Sequence, residues 1–197
     1  MNILKVADKS EDNFSEMEDW FNKRTKNHIE LVKKYCERIK EYGDGEFDEL
    51  IERAKVHDNS KFEDPENKPY IYLTWNYKCK ADGKKFEYPE GMEDRTIEAT
   101  EHHIKNKNNS HHPEYHCNKK TNLINKENRD KVPEEMIDAT KMKDMDLAEM
   151  CADWCAVSEE RKTYPEDWAN KNINKRWKFT KYQEALIYEL LGAIWGE

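Results

Sequence analysis

The residues in this sequence most able to do chemistry are its histidines. All seven lie between positions 28 and 116: His28, His57, the pair His102–His103, the pair His111–His112, and His116. His57 is followed directly by Asp58 and, three positions later, by Lys61. Glu114 stands just past the second pair, and Asp153 lies far downstream inside an apolar run. Neutral imidazoles are common metal ligands, and imidazoles mixed with carboxylates suit Fe, Mn, Co, Ni or Zn better than Mg or Ca. The chemistry such a set offers is coordination of one or two divalent transition-metal ions and activation of a water.

Taken singly, each residue has an ordinary structural reading. His28 lies on an apolar helical stripe and could be a core histidine. The His57–Asp58 pair could close a helix, where the dipole favours imidazole but disfavours the carboxylate. Asp58 there needs a cation, which either Lys61 or a metal ion would supply. The stretch "EHHIKNKNNSHHPEYH" could be a solvated loop, yet nothing about a loop calls for two His pairs eight or nine residues apart.

Asp153 carries the most weight. In "DLAEMCADWCAVS" the residues Leu147, Met150, Cys151, Trp154, Cys155 and Val157 leave little polar face. Asp153 is therefore expected to point into protein, with only Glu149 on the same side one turn earlier. A buried unpaired carboxylate is very costly, so it calls for a proton, an Arg or Lys partner, or a metal. Read together, the order H…HD…HH…HH…D forms one constellation, provided that separate helices face a common centre.

The elements that must position these residues are helical. Phe21, Thr25, His28, Val32, Tyr35 and Ile39 recur in steps of four and three, which draws one stripe along a helix over residues 14–42. Gly43 and Gly45 break it, and a second helix is expected from about Phe47 to the His57–Asp58 pair. Residues 63–95 hold three prolines and two glycines and are expected to be mostly loop. Within them the apolar run of "PYIYLTWNYKC" fits a strand or a buried helical turn. Further helices are expected over about 93–105, 133–141 and 145–161, with a polar, loop-rich stretch at 106–133. A last helix starts after Thr180, where Thr180 and Gln183 make a capping-box pattern, and buries Leu186, Ile187, Leu190, Leu191 and Ile194. The fold class is mainly α. Residues 1–197 are read as a single domain with its core over about 14–195.

Composition narrows the function classes. A net charge of −8 argues against a duplex nucleic-acid partner, which needs a basic stripe. Charged residues make up 39% of the chain, but 22 aromatics favour a folded domain over a disordered one. No stretch approaches 18 apolar residues, so no membrane span is expected, and the N-terminus is too polar and acidic for a signal peptide. Five cysteines with no CxxC pair suit reduced thiols, and a cytoplasmic location is expected.

The order of these residues resembles the HD superfamily of metal-dependent phosphohydrolases. "HDNSK" at His57–Lys61 is similar to the His-Asp-x-x-Lys form of cyclic-dinucleotide phosphodiesterases, although their Gly-Tyr-Pro element is absent here. A closer likeness is to an uncharacterised HD-like family of phage and bacterial proteins. It is carried by "PYIYLTWNYKCK" at Pro69–Lys80, "HHIKNKNNSHHPE" at His102–Glu114, "EMCADW" at Glu149–Trp154 and "WKFT" at Trp177–Thr180. The resemblance implies an HD-like helical bundle around a buried metal site. It implies His28, His57, Asp58 and Asp153 as core ligands and the later histidines as ligands of a second ion.

On that basis Asp58 would bridge two ions. His28, His57 and Asp153 would hold one; His103 with His111 or His112 would hold the other. Within each pair, His102/His103 and His111/His112, the sequence leaves open which member is the ligand. Asp58, Lys61 and His112 are the expected catalytic residues, with Lys61 as a phosphate clamp. The expected activity is hydrolysis of a small phosphorylated substrate: a nucleotide, cyclic nucleotide or other phosphate ester. HD nucleotidases usually carry Glu where this chain has Lys61, which shifts weight toward phosphodiesters or cyclic nucleotides. Two other readings fit the same ligand order: a di-iron oxygenase, and a non-catalytic metal- or nucleotide-binding protein.

Overall fold

A computed structural model describes residues 9–117, 133 and 135–196. Among these the chain is mainly α-helical: α1 (Lys9–Tyr42), α2 (Leu50–Ala54), α3 (Asn67–Ala81), α4 (Met92–Lys105), α5 (Asp144–Arg161), α6 (Pro165–Asn172) and α7 (Lys181–Ile194). Two short strands, β1 (Ile137–Asp138) and β2 (Trp177–Lys178), pair in parallel with Ile137 opposite Trp177. No described helix is long and apolar enough to cross a membrane.

The stripe on α1 is its buried face: Phe21, Thr25, His28, Val32, Tyr35 and Ile39 are all buried. The helix ends where the Gly43 amide bonds the Ile39 carbonyl and the chain turns through positive φ at Asp44 and Gly45. Gly43 is required there because a Cβ would run into the Phe47 ring. At the other end of the chain, Thr180 and Gln183 form the expected reciprocal cap of α7. Ile187, Leu190, Leu191 and Ile194 are buried below it, while Leu186 is only partly so.

The apolar side chains form two clusters. One joins Val32, Ile39 and Leu50 to Leu147, Met150, Cys151 and Cys155 of α5 and to Ile187 and Leu191 of α7. The other joins Met17 and Phe21 of α1 to Tyr70, Ile71, Leu73 and Trp75 of α3 and Ala99 of α4. Polar His28 falls between Phe21 and Val32 on α1, so the functional residues gather at the seam between the two clusters.

Three local expectations are corrected. Residues 67–81, within a stretch expected to be mostly loop with a strand or a buried helical turn in its apolar run, form the continuous helix α3. Its Pro69 sits in the first turn, where no amide is needed. Because the helix packs against both α1 and α4, Tyr70, Ile71, Leu73, Thr74, Trp75, Asn76 and Cys79 are buried on several faces and no helical stripe shows. The helix expected over 133–141 is absent among the described residues there. Ile137 and Ala139 are buried while Asp138 is exposed, a period of two that delivers the pairing with β2. The second helix stops at Ala54 rather than reaching the His57–Asp58 pair, which lies in the turns that follow. Residues 118–132 of the stretch expected as loop lie outside the described residues.

Candidate metal centre

The turn after α2 places His57 and Asp58. Asp58 adopts a left-handed backbone conformation (φ 59°, ψ 4°), uncommon for a residue with a side chain and the kind of strain that clusters at functional sites. The kink lets two neighbouring side chains reach the same centre. His28 arrives from α1, His103 from α4, His111 and His112 from the turns after α4, and Asp153 from α5.

Asp58 sits between two groups. Its Oδ2 lies 3.7 Å from His28 Nε2 and 3.9 Å from His57 Nε2, and its Oδ1 lies 3.2 Å from His103 Nε2. His28 Nε2 is 3.0 Å from Asp153 Oδ1, and one donor atom each from His28, His57 and Asp153 fall within 4.8 Å of one another. On the other side the His103 and His112 ring centroids are 5.2 Å apart, His111 and His112 4.2 Å, and His57 and His111 4.6 Å. The residues named from the sequence therefore converge from four segments of chain. Asp153 is not bonded to an arginine; its partner is His28. Its side chain is 18% exposed, because it faces a pocket instead of solid core.

The geometry also separates members of the pairs. His103 is buried and faces Asp58, whereas the His102 side chain is 48% exposed. His111 and the Nε2 of His112 are both buried in the same cluster. His116 is outside it, with Nε2 donating to the Ser110 carbonyl at 2.7 Å. Glu114 accepts from Trp177 Nε1 at 3.0 Å, which pins the turn carrying His111 and His112 to β2.

Lys61 donates to Asp58 Oδ2 at 2.6 Å. Burial opposes the charge on Asp58, but Lys61, His57 and His103 overcome it and hold the carboxyl well below the usual range. Burial works against protonated His28 too. The Asp153 and Glu160 carboxylates, 3.0 and 3.7 Å from its two nitrogens, outweigh it and raise the imidazole to about 9. His112 goes the other way: burial, with His111 and His103 nearby, keeps it neutral.

Several contributors were missed in the sequence. Glu149, fully buried, accepts from His57 Nδ1 at 3.0 Å and from Arg53 Nε at 2.6 Å. Arg53 also bonds Asp146 at 2.8 Å and Ser110 Oγ at 2.9 Å. Glu66, also fully buried, accepts from His102 Nδ1 at 2.7 Å, His103 Nδ1 at 2.9 Å and Ser60 Oγ at 2.9 Å. A signal existed for part of this. Asp146, Glu149, Asp153 and Glu160 follow a 3-4-7 spacing that puts four acids on one face of α5. Glu66 had none, being 37 residues from His103 in sequence.

Two groups of side chains have the spacing of metal ligands: His28, His57 and Asp153, and His57, His111 and Glu149. The second is better explained as a hydrogen-bonded set, since Arg53 already neutralises Glu149. The first fits a transition metal by donor chemistry. The Nε2 atoms of His57, His103, His111 and His112 are buried without hydrogen-bond partners among the protein atoms, which leaves them free to serve as ligands of an ion.

The cluster opens into a cavity of about 340 Å³. Lys61, His103, His111, His112 and Asp153 line it together with Trp154, Trp168, Trp177, Arg161 and Arg176. Trp154 stacks on Trp177 at 5.5 Å between ring centroids, and Trp168 meets Trp177 edge-on at 6.2 Å. The space suits one small molecule.

No curated protein and no solved structure matches the chain. The profile of a family of unknown function, DUF5662, matches residues 17–193, and the chain belongs to that family.

Proposed function

We propose that this protein is a metal-dependent phosphohydrolase of the HD type, acting on a nucleotide, cyclic nucleotide or other small phosphate ester. The observation that carries the reading is the set of four buried imidazole nitrogens without protein hydrogen-bond partners, those of His57, His103, His111 and His112, the last three of which line a pocket that also holds Lys61. His28, His57, Asp58 and Asp153 would hold one ion, and Asp58, His103 and His111 a second, from among Fe, Mn, Co, Ni and Zn. When bound, such ions supply Lewis-acid neutralisation of phosphoryl oxygens and lower the pKa of water.

The chain's own residues do the rest. Asp58 directs one oxygen to each group of histidines. Lys61, held over the Tyr70 ring at 5.2 Å, brings a flexible positive charge to the pocket and is the clamp for a phosphate. His112 lines the pocket as a neutral imidazole and is the group assigned to the leaving oxygen. The indoles of Trp168 and Trp177 offer a flat apolar wall to the part of the substrate that departs. The absence of disulfides among the five cysteines is compatible with the cytoplasmic location proposed for it.

The experiment is phosphate release from a panel of nucleotides, cyclic nucleotides and phosphodiesters with added Mn²⁺, Co²⁺, Ni²⁺ or Fe²⁺ under anaerobic conditions. Activity with at least one pair, lost in Asp58→Asn with an unchanged circular dichroism spectrum, is expected. An Asp58→Asn protein that keeps full activity refutes the assignment. Dioxygen uptake without phosphate release would transfer the same residues to the oxygenase reading.

A further inference from the structure

Two buried carboxylates stand behind the candidate ligands without facing the centre themselves. Each has an imidazole Nδ1 at hydrogen-bond distance: Glu149 Oε1 to His57 at 3.0 Å, and Glu66 Oε2 to His103 at 2.9 Å. In both histidines the opposite nitrogen, Nε2, is buried and has no aligned hydrogen-bond partner, although Asp58 Oδ1 lies 3.2 Å from that of His103. An ionised carboxylate can only accept, so it holds a proton on Nδ1 of each ring; at His57 this leaves the Nε2 lone pair bare, and at His103 it leaves Nε2 turned to Asp58.

We propose that Glu149 and Glu66 are positioning residues that set the tautomer of His57 and His103, and so aim two Nε2 lone pairs at one centre. The inference rests on the metal-centre reading for its purpose, but the tautomers themselves can be tested without it. Glu149 is the cleaner case. Its other oxygen accepts from Arg53 Nε at 2.6 Å, and a guanidinium has donors only. His111 Nδ1 lies 3.3 Å from Oε1 but is not aligned as a hydrogen bond, so His57 is the donor held there.

Glu66 has more company. Ser60 Oγ lies 3.2 Å and Asn109 Nδ2 3.0 Å from the same His103 Nδ1. The Asn109 amide has two hydrogens, one donated to the His103 carbonyl at 2.8 Å and one within reach of Ser60 Oγ at 3.5 Å, while Ser60 donates to Glu66; the carboxylate, which can only accept, takes the ring proton. No Lys or Arg pairs with Glu66 among the described residues; its partners are His102, His103 and Ser60.

A glutamine in place of Glu149 keeps the volume but not the symmetry. Its carbonyl must serve Arg53, so its NH₂ would face His57 Nδ1 and force the proton onto Nε2. The lone pair would then point away from the centre. Loss of such a supporting partner weakens metal affinity by about 10–100-fold.

The test has two arms. In the first, ¹⁵N spectra of the metal-free full chain at pH 9 report the histidine tautomers. His57 and His103 are expected as Nδ1–H in the wild type, with His57 converting to Nε2–H in Glu149→Gln. An Nε2–H form of either residue, or an imidazolium at His57, in the wild type overturns the proposal without needing a folded variant. In the second arm Co²⁺ alone is titrated calorimetrically into wild type, Glu149→Gln and Glu66→Gln. A fall of about 10–100-fold for Glu149→Gln is expected, and an affinity within about threefold of wild type, on the scale of that principle, overturns the proposal. A wild type that takes up no Co²⁺ would sink the metal-centre reading instead, while the tautomer arm still decides this one.

Discussion

On the proposed metal-centre reading, metal uptake should be strongly coupled to a proton, and His28 is the reason. Its Nε2 lies 3.0 Å from Asp153 Oδ1 and its Nδ1 3.7 Å from Glu160 Oε2, so both nitrogens face carboxylates. Burial disfavours the imidazolium, yet these partners raise its pKa to about 9. A histidine must be neutral to act as a ligand. At pH 7 the proton therefore has to be displaced from a group that holds it about two pH units too tightly, a cost of about 3 kcal/mol or about 100-fold in affinity. Between pH 6.5 and 8.5 the Mn²⁺ association constant should rise about tenfold per pH unit. Calorimetry at pH 7 in buffers of different ionisation enthalpy should count at least one proton released per ion.

The sign for folding is opposite. The folded value lies above the ordinary 6.5, so the stabilisation from protonated His28 is fully present below pH 6.5. It is lost as pH rises through about 9, with an upper bound of about 3 kcal/mol. Urea titrations of chelator-treated protein should show the metal-free chain weakening over that window while metal uptake strengthens. An affinity that stays flat from pH 6.5 to 8.5, with no proton released, would refute the placement of His28 as a ligand held between Asp153 and Glu160.

Two further outcomes follow from the same contacts. Lys61→Gln removes the ammonium that sits 2.6 Å from Asp58 Oδ2, so Co²⁺ affinity should rise even as KM for the phosphorylated substrate increases; a weaker Co²⁺ site in that variant would show that Lys61 supports the centre rather than competing with a cation. Arg53→Met leaves fully buried Glu149 facing its histidines without its guanidinium, and should lower unfolding stability by about 3 kcal/mol in a urea titration. That is the low end for a broken buried pair, since the Arg53 side chain is 27% exposed; a change under about 1 kcal/mol would place the pair with solvent-screened bridges.

What the sequence determined by itself was the histidines and the two aspartates that converge and the helices that carry most of them. The stripe on α1, the cap at Thr180 and the apolar surroundings of Asp153 are local patterns, written at helical spacing and readable without partners. Where the pattern depended on what packs from outside, it misled. α3 is enclosed by α1 and α4 and shows no stripe, and β1 is two residues whose identity as a strand depends on β2, about forty positions away.

Tertiary structure alone decided how the participants are used. It turned His103 inward and His102 outward on adjacent positions of one helix, and bent the backbone at Asp58 so that its two oxygens serve two groups of histidines. It also recruited Glu66, which no spacing connects to the histidines, and paired Arg53 with Glu149, 96 residues away. Hydrogen bonds and Coulomb contacts act over a few ångströms of space whatever the separation along the chain, so the residues that tune a centre can be assigned only once folding has brought them beside it.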